Sequence, residues 1–159
     1  MSMNIVLTRI DDRLIHGQVA TIWAKETKCN RIIVVSDEVA NDNLRKTLLV
    51  QVAPPGVKAN VITIDKMIEI HNNPKYESFK ALLLFTNPTD VLRVVEGGVD
   101  IKSVNIGGMS FKEGKKQITS AVSVDDKDIE SFKKLNEKGI ELEIRKVSSD
   151  AKTDLMSKI

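Results

Sequence analysis

The chain has 159 residues, 42% of them hydrophobic and 29% charged, with a formal net charge of +2. That length supports one folded domain, 1–159, with a sizeable core, and the composition excludes a disordered or membrane-embedded class. The charge is too small and too dispersed for a nucleic-acid surface, and one Trp, one Tyr and four Phe leave little for base stacking.

A single cysteine, Cys29, rules out an internal disulfide and a multi-cysteine metal site. No segment approaches the roughly 20 apolar residues of a membrane span, and the N-terminus has no basic stretch followed by an apolar one. The expectation is a cytoplasmic protein that meets a membrane only through partners.

In chain order, Asn4–Ile10 reads as a buried strand, followed by a helix with Val19, Ile22 and Trp23 on one stripe. Ile32-Ile33-Val34-Val35 is a β-branched run suited to a strand covered on both faces. Asp42–Val52 follows as a helix with Leu44, Leu48, Leu49 and Val52 as its packing side and Asn41 or Asp42 as cap; Pro54-Pro55-Gly56 stops it. Lys58–Thr63 is a third strand and Ile64–Asn72 a short helix. Ala81-Leu82-Leu83-Leu84-Phe85 is a fourth strand, and Asn87-Pro88 is placed to cap and open the helix that ends at Gly97-Gly98. Val104-Asn105-Ile106 is a short strand, Gln117–Ser123 another, and Asp125–Lys138 a helix with acidic residues in its first turn. Glu141–Lys146 alternates like an edge or half-exposed strand, and Ser148 to Ile159 reads as a polar linker with a short helix. Strands alternating with helices predict an α/β three-layer domain, its sheet mostly parallel, with an edge or antiparallel strand near the C-terminus.

In such sheets ligands bind beyond the carboxyl ends of the strands. The first strand runs into Arg9-Ile10-Asp11-Asp12-Arg13-Leu14-Ile15-His16-Gly17-Gln18, which packs two arginines, two aspartates and one of the two histidines into ten residues. A neutral imidazole can attack phosphorus, a guanidinium can bind the equatorial oxygens, and N–H groups opening a helix at Gly17-Gln18-Val19 suit an anion. Thr86-Asn87 and Gly107-Gly108 follow later strands and form the other walls. Asp11 is favoured as the group that orients the imidazole, Asp12 as structural, although either also serves simply to balance the arginines. The bland alternative is a solvated loop with a capping histidine. His71, late in a polar helix end, reads as a histidine meeting the negative end of a helix dipole.

The stretch Arg9 to Val19 closely resembles the active-site signature of the IIB component of the mannose/fructose/sorbose class of bacterial sugar phosphotransferase systems, with no departure at any motif position. Ile32–Asp37, Leu82–Pro88 and Val104–Met109 resemble family segments in the same order. The resemblance implies a phosphocarrier: the histidine at position 16 accepts a phosphoryl group on Nδ1 from a phosphohistidine of a IIA component, expected as a separate polypeptide. It passes that group to a sugar held by IIC and IID membrane components, so the protein would sit at the inner face of the cell membrane through them. Arg13 would neutralise the phosphate and Arg9 would lie at the docking surface; Gly17, Gln18, Thr86 and Gly108 complete the expected phosphate-binding or docking set. No metal, cofactor or nucleic acid is implied. The competing reading is a receiver-like signalling module, with Asp11 and Asp12 as an acidic pair, Asp65 as phosphate acceptor and bound Mg²⁺.

Overall fold

A computed structural model describes residues 3–17 and 19–159. β1 (Asn4–Asp11) leads through the site loop to a π-helical turn, Val19–Trp23, that runs into α1 (Ala24–Thr27). There follow β2 (Arg31–Val35), α2 (Asp37–Ala40), α3 (Asn43–Gln51), β3 (Lys58–Ile62), α4 (Ile64–His71), β4 (Lys80–Phe85), α5 (Pro88–Glu96) and β5 (Ser103–Gly108). The C-terminal part adds β6 (Lys116–Gln117), β7 (Ser123–Val124), α6 (Asp126–Glu137), β8 (Glu141–Ile144), β9 (Thr153–Asp154) and a closing 3₁₀ turn, Leu155–Lys158.

Seven strands form the main sheet in the order β3-β2-β4-β1-β5-β8-β9. Every pairing is parallel except β8 with β9, which is antiparallel. The α/β architecture expected from the alternation of strands and helices is therefore present. The apolar runs explain the two-sided sheet: in β4, Ala81, Leu83 and Phe85 enter one core and Leu82 and Leu84 the other, all without solvent exposure. The first core takes Met67 and Ile70 of α4, Val91 and Val94 of α5, and Phe132 and Leu135 of α6. The second takes Trp23, Ala24, Val39 and Leu49 from the elements that follow β1 and β2. The chain thus leaves β1 toward one face and neighbouring β4 toward the other. Their carboxyl ends border the crevice that such a reversal creates.

Capping follows the side chains that the sequence offers. Asp42 accepts from the Arg45 N–H (3.1 Å), Asn87 accepts from the Asp90 N–H (2.8 Å) ahead of Pro88, and Asp125 forms a capping box with Asp128. α2 has no counterpart in the sequence reading; it is a single turn capped by Ser36.

Three expectations are corrected. Gln117–Ser123 is not one strand: the Thr119 hydroxyl accepts from the N–H groups of Ala121 and Val122, closing a turn that splits it into the antiparallel pair β6 and β7. β8 is not the edge, because Thr153–Asp154 in the expected linker covers it as β9, and Glu143 is buried against Arg145. His71 does not meet the helix end as a cation. It is buried, its Nε2 accepts the Asp100 N–H at 3.2 Å, and burial pushes its pKa down despite the nearby Asp100 charge.

A depressed histidine pKa means that the folded state resists protonation. The stability contributed by neutral His71 is complete above the unfolded-state value near 6.5 and is lost as pH falls toward the folded-state value. The urea midpoint is expected to decline between about pH 7.5 and 5.5, and His71→Gln, whose amide oxygen can replace the acceptor, to flatten that decline. Equal slopes in the two proteins would exclude His71 as the cause.

Candidate functional site at the end of the first strand

The loop after β1 is anchored by its own apolar residues. Leu14 and Ile15 are buried in the core with Val19 and Trp23, while the Leu14 N–H closes a turn onto the Asp11 carbonyl at 2.8 Å. Leu14 adopts φ 61°, a left-handed conformation that costs a non-glycine residue about 1–2 kcal/mol, held here by burial of its side chain. That twist aims the Leu14 carbonyl at His16, whose Nδ1–H donates to it at 2.7 Å. His16 Nε2 is enclosed without a hydrogen-bond partner and lies 3.7 Å from Asp11 Oδ2. The ring therefore presents neither nitrogen outward.

Asp11 is the hub. Its Oδ1 accepts from the Arg13 N–H (3.2 Å) and Nε (3.0 Å), and its Oδ2 from Arg13 Nη2 (2.9 Å) and Arg9 Nη2 (3.1 Å). A carboxylate offers about four lone-pair sites, so Asp11 is saturated and the His16 ring stays just outside the set. Burial pushes the Asp11 carboxyl up, but the Arg13 hydrogen bond and the Arg9 charge together reverse this and hold it below the usual carboxylate range. The charge balance matters. Buried Arg9 and buried Asp11 cancel, which leaves half-exposed Arg13 as the surplus cation of the Arg9–Asp11–Arg13 cluster, with Asp12 beside it.

Arg9 is not at a docking surface, contrary to the expectation. Its side chain is wholly buried, and burial pushes its pKa down. Besides Asp11 it donates to the Asn105 side chain and to the carbonyls of Arg145 and Lys146 (3.1 Å each). Gly107 makes this possible, since a Cβ there would collide with the Arg9 guanidinium. The network continues outward: Asn105 donates to Glu143, which takes both arms of Arg145 at 2.8 Å. The guanidinium carbons of Arg9 and Arg145 lie over the Trp23 ring at 5.1 and 5.2 Å, and Trp23 Nε1 donates to the Lys146 carbonyl. The sequence places Asn105, Glu143, Arg145 and Trp23 in strands and a helix stripe and marks none of them as a site residue. Buried polar residues in a strand run, Asn105 between Val104 and Ile106 above all, were the available signal.

Asp12 ties the loop to the segment after β5, accepting from the Ser110 N–H (2.7 Å) and hydroxyl (3.0 Å). On one side of this tie a depression of about 490 Å³ is lined by Asp12, Arg13, Arg45, Thr86 and Asn87. On the other, one of about 380 Å³ is lined by Asp12, Arg13, Gly108 and Phe111. Thr86 and Gly108 thus do flank Arg13, whereas His16 lines neither depression. Gly108 leaves room for Asp11, because a Cβ there would come within 3.3 Å of Oδ1. Gly17 has open space around it, so nothing among the described residues requires a glycine there. Gln18 lies outside the described residues. Asp65, the acceptor of the receiver reading, is exposed on α4, whose buried residues pack on the opposite face of the sheet from Leu14 and Ile15.

A mostly parallel α/β sheet with a histidine, an Arg–Asp–Arg clamp and flanking clefts at its carboxyl edge defines the α/β class in which ligands bind at this edge. The sequence matches the family described as "PTS system sorbose subfamily IIB component" over residues 5–159. The chain belongs to that family, the IIB components of the sugar phosphotransferase system. It is 68% identical over 160 residues to the mannose-specific EIIAB component of Escherichia coli K12, an alignment spanning 99% of this chain and 50% of that protein. The chain therefore spans about half the length of that relative. It is 51% identical to the fructose-specific EIIB component of Bacillus subtilis, over 97% of this chain and 94% of that one. The IIB domain of the sorbose permease from Klebsiella pneumoniae, a crystal structure, superposes with a TM-score of 0.95 at 49% identity, over 98% of this chain and 96% of that chain.

Removing one member of a buried ion pair strands the other. Asp11→Asn is expected to cost about 3–5 kcal/mol in urea unfolding. Asp12→Asn should cost about 1 kcal/mol, because its partner Ser110 is exposed and can turn to water. Similar midpoints for the two variants would show that Asp11 is not the hub.

Proposed function

We propose that this chain carries a phosphoryl group on His16, accepting it from a phosphohistidine on a IIA component and passing it to a sugar held by IIC and IID membrane components. The observation that carries this reading is the position of His16 Nε2, 3.7 Å from the Asp11 carboxylate, in the loop that also presents Arg13.

In the first step the Nδ1 electron pair forms a bond to phosphorus as the donor's P–N bond breaks and its pair returns to the donor ring. In the second, a sugar hydroxyl oxygen attacks phosphorus and the P–Nδ1 pair returns to His16. The hydroxyl proton is taken up by the freed ring nitrogen. The first step needs Nδ1 as a lone-pair nitrogen, so the ring must leave the Leu14 carbonyl and hold its proton on Nε2. The proton that Nδ1 gains in the second step must pass to solvent before the next cycle. Asp11 is the neighbour able to accept that Nε2–H, once a lone pair is free. The arriving phosphoryl group supplies the opening. It draws Arg13 onto its equatorial oxygens, Arg13 lets go of Asp11, and Asp11 then fixes the tautomer that makes Nδ1 nucleophilic. Arg9 stays behind to keep Asp11 charged. The relatives described above differ in sugar specificity, sorbose, mannose or fructose. On this reading sugar selection belongs mainly to the membrane components.

His16→Gln should take up no acid-labile phosphate from phosphorylated IIA, whereas His71→Gln should take up the full amount. Arg13→Gln should slow transfer by roughly 10²–10³-fold, the usual loss for one electrostatic donor. Acid-labile phosphate on the His16→Gln protein would overturn the assignment.

A further inference from the structure

α3 wears its apolar face outward. Leu44, Leu48 and Val52, at i, i+4 and i+8, are 72%, 55% and 50% exposed, whereas Leu49 alone of the helix is buried. The sequence pattern predicts that these leucines pack inward. Instead Arg45 is half-buried and lines the cleft beside Arg13, Thr86 and Asn87. An exposed apolar row along one helix is unusual unless something covers it. Here it is continuous with the mouth of the site, because its first turn supplies a cleft residue.

We infer that the Leu44–Leu48–Val52 face of α3, with Arg45 and Lys46 at its edge, is the docking surface for the phosphorylated donor protein. This rests on the phosphocarrier reading above. Charge selects the donor from the two partners of a carrier. Neither Arg45 nor Lys46 has an acidic side chain within salt-bridge distance among the described residues. A donor arrives bearing a phosphate dianion, while the acceptor offers a neutral sugar. The cleft lining mixes basic and acidic residues, but Asp90 and Asp128 are already paired with Arg93 and Lys115. Arg45, the lining cation at the foot of the apolar row, therefore attracts the dianion and is indifferent to the sugar. The same arrangement favours release. After transfer the dianion sits on this chain beside Arg13 and Arg45, and the unphosphorylated donor has lost the charge that drew it in. Apolar contact then supplies an affinity that does not depend on the phosphate, in the manner of a leucine row filling a shallow partner surface.

The test is donor-concentration dependence of phosphate uptake by the full chain, using purified phosphorylated IIA. Leu44→Asp/Leu48→Asp should raise the KM for donor by about tenfold or more with kcat retained, and Arg45→Glu should raise it further for phosphorylated donor. Lys133→Glu, exposed on α6, should leave both constants unchanged. Circular dichroism melts checked alongside should match the parent for the double variant, since Leu44 and Leu48 are exposed. An unchanged KM in the double variant would overturn the proposal. So would a defect confined to the later step, sugar phosphorylation from pre-phosphorylated chain, which would assign the face to the membrane partner. A sedimentation change in the isolated parent abolished by the double variant would assign it to a second copy. Absence of any phosphate on the unaltered protein would instead bring down the carrier reading itself.

Discussion

Everything at the carboxyl edge of the sheet depends on one carboxylate with too many suitors. Asp11 is buried where a lone charge would be costly, and two arginines on its own strand and loop make it tolerable. Because four N–H donors fill its lone pairs, the histidine beside it is neither bound nor free. On the proposed reading, an anion that competes for Arg13 would release that balance. The strained Leu14 backbone and the buried Ile15 serve the same end, fixing the loop so that the competition is decided within a few ångströms.

The interior arginine extends that dependence across the sheet. Arg9 reaches the carbonyls of Arg145 and Lys146, so the segment after β8 is held by the same charge that neutralises Asp11. Glu143 and Arg145 continue the alternation of sign toward the surface. The His16 loop and the C-terminal part of the chain, distant in sequence, are one electrostatic unit. Chains of this kind hold geometry well when every member is satisfied and lose it together when one is removed.

Much of this was legible in the sequence and some was not, for physical reasons. The apolar runs of β2 and β4 announced a sheet covered on both faces, and Asp42, Asn87 and Asp125 announced helix starts, because caps and period-two burial are local effects. The grouping of charge in residues 9–16 marked the site. What failed was long-range. The resemblance put Arg9 at a docking surface, and nothing near it in sequence reveals Asn105 or the two carbonyls that receive it. Glu143 fitted an alternating edge strand for the same reason. The outward leucines of α3 were misread because periodicity gives the width of an apolar stripe and not the surface that covers it.

Trp23 is the only tryptophan in the chain, and its buried indole touches the polar network at three points: two guanidiniums and the Lys146 carbonyl. Fluorescence of an indole is sensitive to nearby charge and to its N–H partner. The protein therefore contains a built-in optical probe whose emission follows the arginine clamp, with no label added and no other tryptophan to confuse the signal.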